Sequence, residues 1–133
     1  MNAQGLSSLG DLAGRVLLAS LFVIEALSKL SAYELAGKYM TAFGLPAQLL
    51  PLAITIELAG GVMVALGWRT RIAAMMLAVF CLAAAVIFHN KFDDRNQLIH
   101  FEKDMALAGA FLILAARGAG RLSLDRRGGK GNF

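Results

Sequence analysis

The sequence predicts an all-α fold, an integral membrane antiparallel four-helix bundle, and three observations carry that expectation. Apolar residues make up 58% of the 133-residue chain and the mean hydropathy is +0.64, more than a water-soluble domain normally carries. Charges are unevenly placed: over 39–68 the one charged residue is Glu57, and 72–90 holds none. The second of these runs is nineteen residues long, close to the ~20 that a helix needs to cross ~30 Å of hydrocarbon. The links between apolar runs are short, which favours helices packed up and down against their chain neighbours.

The first predicted span is 12–30. Its apolar stretch follows Arg15 as in a signal peptide, but 1–11 lacks a positive cluster and Glu25 interrupts the stretch before any small-residue cleavage site. The second span is 46–66, with Pro46 and Pro51 near its start, where a missing N–H is tolerated. Gly67, Trp68, Arg69, Thr70 and Arg71 then close a tight helical hairpin into the third span, 72–89. The fourth span is 101–116. Its uncharged part is only twelve residues, so Lys103 and Asp104 must snorkel or sit inside the bundle; a re-entrant or interfacial segment is the alternative. A basic tail, 117–133, completes a single domain that covers the whole chain. Small residues offer close helix contacts: Gly60 and Gly61 on the second helix, Ala83 to Ala85 on the third, Ala106 with Ala110 on the fourth.

The net charge of +4 has its excess in Arg117, Arg121, Arg126, Arg127 and Lys130, beside an apolar segment. Flanking positive charge on a membrane span explains that placement, and no aromatic-interleaved basic surface points to nucleic acid. With four alternating spans, eight basic residues fall on the side of the termini and five on the other. Both termini are therefore expected in the cytoplasm, the chain lying multi-pass in a bacterial inner membrane. One cysteine, Cys81, excludes dithiol chemistry within the chain. No Gly-x-Gly-x-x-Gly, Walker loop or serine elbow is present, so a redox cofactor is expected to be lipid-borne or held by a partner.

Charged residues inside apolar spans mark the candidate site. Arg15, Leu18, Phe22, Glu25 and Lys29 form one stripe on the first helix, and Glu25 with Lys29 is an i, i+4 pair. Glu57 lies midway along the second helix on a stripe with Leu50, Ile54, Gly61 and Val64, and Gly61 lets a neighbouring backbone approach. His89, His100, Lys103 and Asp104 fall at the outer ends of the third and fourth helices. A polar cluster in the outer half of the bundle follows. It can bind a polar headgroup, handle protons, or hold helix register through ion pairs such as Glu57 with Lys103 or a histidine. Haem ligation by the histidines is poorly supported, and no metal is expected, although two histidines with an acid such as Asp93 are a conceivable zinc set.

The chain resembles the DoxX family of small four-helix bacterial membrane proteins, in its short inner-membrane branch. The matching residues are Gly14-Arg15-Val16-Leu17-Leu18 with Phe22 and Lys29-Leu30, Tyr39-Met40 with Gly44-Leu45-Pro46, and Glu57-Leu58-Ala59-Gly60-Gly61 through Gly67 to Thr70-Arg71-Ile72-Ala73-Ala74. His89-Asn90, Lys103-Asp104-Met105-Ala106-Leu107, Gly118-Ala119-Gly120 and Ser123-Leu124-Asp125 add to them. The resemblance implies a subunit of a quinone-linked redox system, with redox partner proteins and a bound quinone, and points to Arg15, Lys29, Glu57, His89 and Lys103. Glu25 departs from the family pattern. The site taken forward is Arg15, Glu25, Lys29, Glu57, His89, His100 and Lys103. Whether the chain is itself catalytic is open at this point. The other readings are a small-metabolite or proton-coupled transporter, acting as a homo-oligomer, and a membrane scaffold without a ligand.

Overall fold

Asn2 starts the first helix: its side-chain oxygen accepts from the Gly5 N–H at 2.8 Å, and α1 runs Ala3–Ser31 in the computed structural model, which describes residues 2–127. Its buried stripe is Ser8, Arg15, Ala19, Phe22 and Ala26, with Glu25 and Lys29 on the flank rather than at the centre. After one residue, Ala32, the chain enters α2 (Tyr33–Ala42), a ten-residue helix that buries Gly37 and Met40. Neither apolar length nor hydrophobic spacing had announced α2. Pro46 is extended and leads through a 3-10 turn (Ala47–Leu49) into α3 (Leu50–Leu66), with Pro51 in the first turn.

Gly67 ends α3 in the left-handed region at φ 72°, and Trp68 donates back to Met63 O at 2.9 Å, so the chain reverses at once into α4 (Thr70–Phe88). Asp94 caps α5 (Arg95–Arg117) by accepting from Asn96 N at 3.0 Å, and a short α6 (Leu124–Arg127) follows. Lys130 of the predicted tail lies outside the described residues. Among those residues the fold is all helical, and three stretches are long and apolar enough to cross a membrane: α1, Ala47–Leu66 and α4. With 23 residues α5 has the length, but Arg95, Glu102, Lys103 and Asp104 lower the hydropathy of its first half.

Helices pack as α1 on α3, α3 on α4 and α4 on α5. The main core joins Phe22 of α1, Leu77 and Cys81 of α4 and Phe111 of α5, the two phenyl rings meeting edge to face at 5.3 Å. A second core beneath α2 joins Ala26, Met40, Leu50 and Ile54. Gly61 supplies the predicted close approach: a Cβ there would stand 3.3 Å from Ala19 O. On α4 the small buried residues are Ala73, Ala74, Ala78 and Ala85. On α5 Ala108 is buried and Ala106 exposed, so the contact face is turned from the one expected. The opposite faces carry large apolar side chains in the open, among them Leu17, Ile24, Val79, Val86 and Ile113. That much uncovered apolar surface suits lipid rather than water.

Candidate functional site

Lys29 reaches across from α1 to α3, where its ammonium donates to both carboxylate oxygens of Glu57, at 2.9 and 3.0 Å. The Glu57 side chain is 4% exposed and Lys29 27%, so the pair stands between the packed interior and an opening. Glu25, 51% exposed, lies 3.6 Å from the same ammonium, one helical turn back on α1. The i, i+4 pair expected from the sequence therefore exists, but it is the outer and weaker half of a Glu25, Lys29, Glu57 triad. Neither Lys103 nor a histidine is the partner of Glu57. Spacing along one helix reveals the first contact and is silent about the second, which depends on how α1 meets α3 at Gly61.

A second polar group faces the triad from α4 and α5. His89 Nδ1–H donates to Gln97 Oε1 at 2.9 Å, which leaves Nε2 on the other side of the ring, 3.7 Å from an Asp104 carboxylate oxygen. That separation is too long for a hydrogen bond, so Nε2 retains an unused position. His100 stacks on His89 with ring centroids 5.0 Å apart. The acid beside His89 is thus Asp104 rather than Asp93, and among the described residues no group of three histidine, cysteine or acidic side chains is arranged to hold a metal ion.

These two groups line one cavity of about 930 Å³, which Glu25, Lys29, Glu57, His89, His100 and Lys103 all enter. Asp104, Gln97 and Cys81 line it as well. Ser28, Asp94 and Asn96 also face it, and the rest of its wall is apolar and aromatic, with Leu35, Leu49, Leu52 and Ile87 beside Tyr39 and Phe88, whose rings stack at 5.5 Å; Phe43 backs Phe88 edge-on at 5.3 Å from outside the lining. The helix that sequence reasoning missed, α2, supplies Leu35, Ala36, Tyr39 and Met40 to this wall. Tyr39 had appeared in the sequence as part of a motif, but only the fold of α2 over α3 and α4 gives it a place. Polar groups that can donate, accept or exchange protons thus meet an apolar recess open at one end, the usual composition of a small-molecule site.

Arg15 does not belong to this cavity. It is 2% exposed at the opposite end of the helices, beside the Gly67 hairpin. One guanidinium nitrogen donates to Val64 O and Ala65 O at 3.1 and 3.0 Å, and another donates to Leu122 O. Two carbonyls in the last turn of α3, of which Val64 O also accepts from Gly67 N–H at 3.2 Å, and one just before α6 thereby share a single side-chain donor. Asp125 completes the join from the same segment: its carboxylate accepts from Arg69 N at 2.7 Å and Thr70 N at 3.0 Å, capping α4, and its own N–H donates to Gly67 O. Fourteen residues along α1, about 21 Å of rise, separate Arg15 from Lys29. Arg15 therefore holds the fold and takes no part in the cavity.

The family model described as DoxX matches residues 10–90. Inner membrane protein YqjF of Escherichia coli (strain K12) is 36% identical over 121 residues, covering 91% of this chain and 93% of its own length. Inner membrane protein YphA of the same organism is 32% identical over 123 residues, covering 87% and 88%. No solved structure matches the chain.

Proposed function

The chain belongs to the DoxX family, and on that premise we propose that it is a multi-pass inner membrane protein whose cavity binds a quinone for a quinone-linked redox system. Four antiparallel spans, α1, α3, α4 and α5, with both termini in the cytoplasm, are part of this reading. The distribution of basic residues supports that orientation, because Arg15, Arg69, Arg71, Arg117, Arg121, Arg126 and Arg127 all fall at the hairpin end. In this orientation the cavity opens in the outer half of the membrane.

The observation that carries the ligand class is the meeting of a Lys29–Glu57 pair and two histidines with an aromatic and aliphatic wall in one open recess. A ring bearing two carbonyls on a long apolar tail suits that composition. Lys29 Nζ is the group able to donate to a carbonyl oxygen, His89 Nε2 can accept from a hydroxyl of the reduced ring, Tyr39 and Phe88 can flank a ring, and Leu35, Leu49 and Leu52 can receive a tail. When bound, a quinone supplies two-electron, two-proton redox capacity. The chain's own part is to orient the headgroup, exclude water from Glu57 and hold an exchangeable proton on Glu57 or His89. Electrons come from a redox partner protein, with this chain as accessory subunit.

Binding of a short-tailed quinone to the full chain in lipid nanodiscs tests the reading. Saturable binding that weakens at least tenfold in His89→Ala and in Tyr39→Ala is expected, and quinone should remain on the protein during native mass spectrometry from its own membrane. Absence of saturable binding, with only phospholipid retained, would overturn it. Uptake of a small solute by proteoliposomes of the chain alone would replace it with transport.

A further inference from the structure

A second recess, of about 760 Å³, opens along the outward face of α4, meets the first cavity at Ile56, Phe80 and Ala83, and runs from there to Arg71 past Val79, Met75 and Ile72. Every lining side chain is apolar except Arg71, which stands at the hairpin end of the groove. From Arg71 to Ala83 the groove follows α4 for twelve residues, about 18 Å of rise and so about one leaflet of a ~30 Å hydrocarbon core. The guanidinium of Arg71 is held against the backbone at Gly118, where a Cβ would come 3.3 Å from Nε. That Nε is buried with no hydrogen-bond partner, and among the described residues no carboxylate lies within salt-bridge distance of Arg71. Of the two acids at this end, Asp125 caps α4 through two backbone N–H groups, and Asp11 lies against Gly120. Beside the groove mouth, half-exposed Trp68 lies under the Arg69 guanidinium at 5.5 Å, the pairing of aromatic ring and cation common at a headgroup level.

A fixed cation lacking a partner, at the interfacial end of an apolar channel one leaflet long, calls for an anion joined to a hydrocarbon chain. We propose that this groove is a binding site for an anionic phospholipid of the cytoplasmic leaflet, its phosphodiester on Arg71 and one acyl chain along Ile72, Met75 and Val79. Membrane insertion in the orientation given above is required; occupancy of the cavity by a quinone is not. A second copy of the chain is the poorer occupant, because no residue lining this face is acidic and Arg71 would gain no counter-charge.

Native mass spectrometry of the full chain released from nanodiscs of equal phosphatidylglycerol and phosphatidylcholine provides the test. The wild-type chain should retain one phosphatidylglycerol in at least fivefold preference over phosphatidylcholine. Arg71→Gln should reduce the preference to near unity, Arg71→Lys should keep part of it, and Arg127→Gln should leave it unchanged. Val79→Trp, which fills the groove away from the charge, should lower retention of either lipid. If Arg71→Gln does not fold, Val79→Trp and Arg71→Lys still decide. Equal preference in wild type and Arg71→Gln, equal loss in Arg127→Gln, unchanged retention in Val79→Trp, or a lipid-free dimer would each overturn the site.

Discussion

At the hairpin end Arg15 directs its guanidinium to three main-chain carbonyls and Asp125 directs its carboxylate to two main-chain amides. At the α2 end Lys29, Glu57, His89, Gln97 and Asp104 interact through side chains alone, around an open cavity. Backbone groups cannot turn away to find another partner, so bonds to them fix where helices begin and end. Paired side chains can be exchanged, protonated or displaced by a ligand. The contrast separates a join that holds the helices from a site that can do chemistry, although the same sequence pattern, a charge inside an apolar span, announces both.

Replacing Arg15 by Met is the strongest way to break that comparison. Ala65 O and Leu122 O lose the donor that Arg15 supplies and Val64 O keeps only the Gly67 N–H, which should cost about 3–5 kcal/mol. Equilibrium unfolding in mixed micelles followed by circular dichroism measures it, and a loss under about 1 kcal/mol, the size of one ordinary hydrogen bond, would mean that the hairpin end is no lock. Next is Lys29→Met, which strands the Glu57 carboxylate; with the cavity able to admit water, about 2–3 kcal/mol is expected. Adding Glu57→Leu to Lys29→Met should recover more than half of that loss, because an apolar pair replaces a charged one. No such recovery is available to Arg15, whose partners are backbone, and finding one would erase the distinction.

Asp125→Ala removes a cap from α4 and is expected to cost about 1 kcal/mol. Hydrogen exchange at Arg69 and Thr70 should rise with it, while exchange in α2 stays as it was. Glu25→Gln is the smallest change. Its carboxylate is half-exposed and secondary in the triad, so stability should move by no more than about 0.5 kcal/mol. A larger loss would promote Glu25 to an equal partner of Lys29.

What could be read from the sequence followed the chain's local periodicities. The spacing of Leu50, Ile54, Glu57, Gly61 and Val64 marked the buried face of α3, and all five are buried. The closeness of Glu25 to Lys29 followed from helical pitch. Contacts across the chain were harder to see. Lys29 with Glu57 joins positions 28 residues apart, and Arg15 with Leu122 joins positions 107 apart. No spacing rule reaches that far, so Arg15 was grouped with the cavity residues. The short helix α2 escaped because Tyr33–Ala42 is polar at Glu34, Lys38 and Thr41, contains Gly37 and has no side-chain cap. Its order comes from Met40 packing beneath it and Gly37 lying against Ala47, which are tertiary facts.

The cap that Asp125 places on α4 also has a bearing on time. A ribosome makes Arg15 first, the hairpin at Gly67 next and Asp125 last of the three, yet these segments are bonded directly to one another. Until 122–125 emerges, Arg15 lacks one acceptor and the start of α4 lacks its cap, so the early hairpin is provisional. A chain cut before Ser123 would keep α1 to α5 and still leave the junction at Gly67 open.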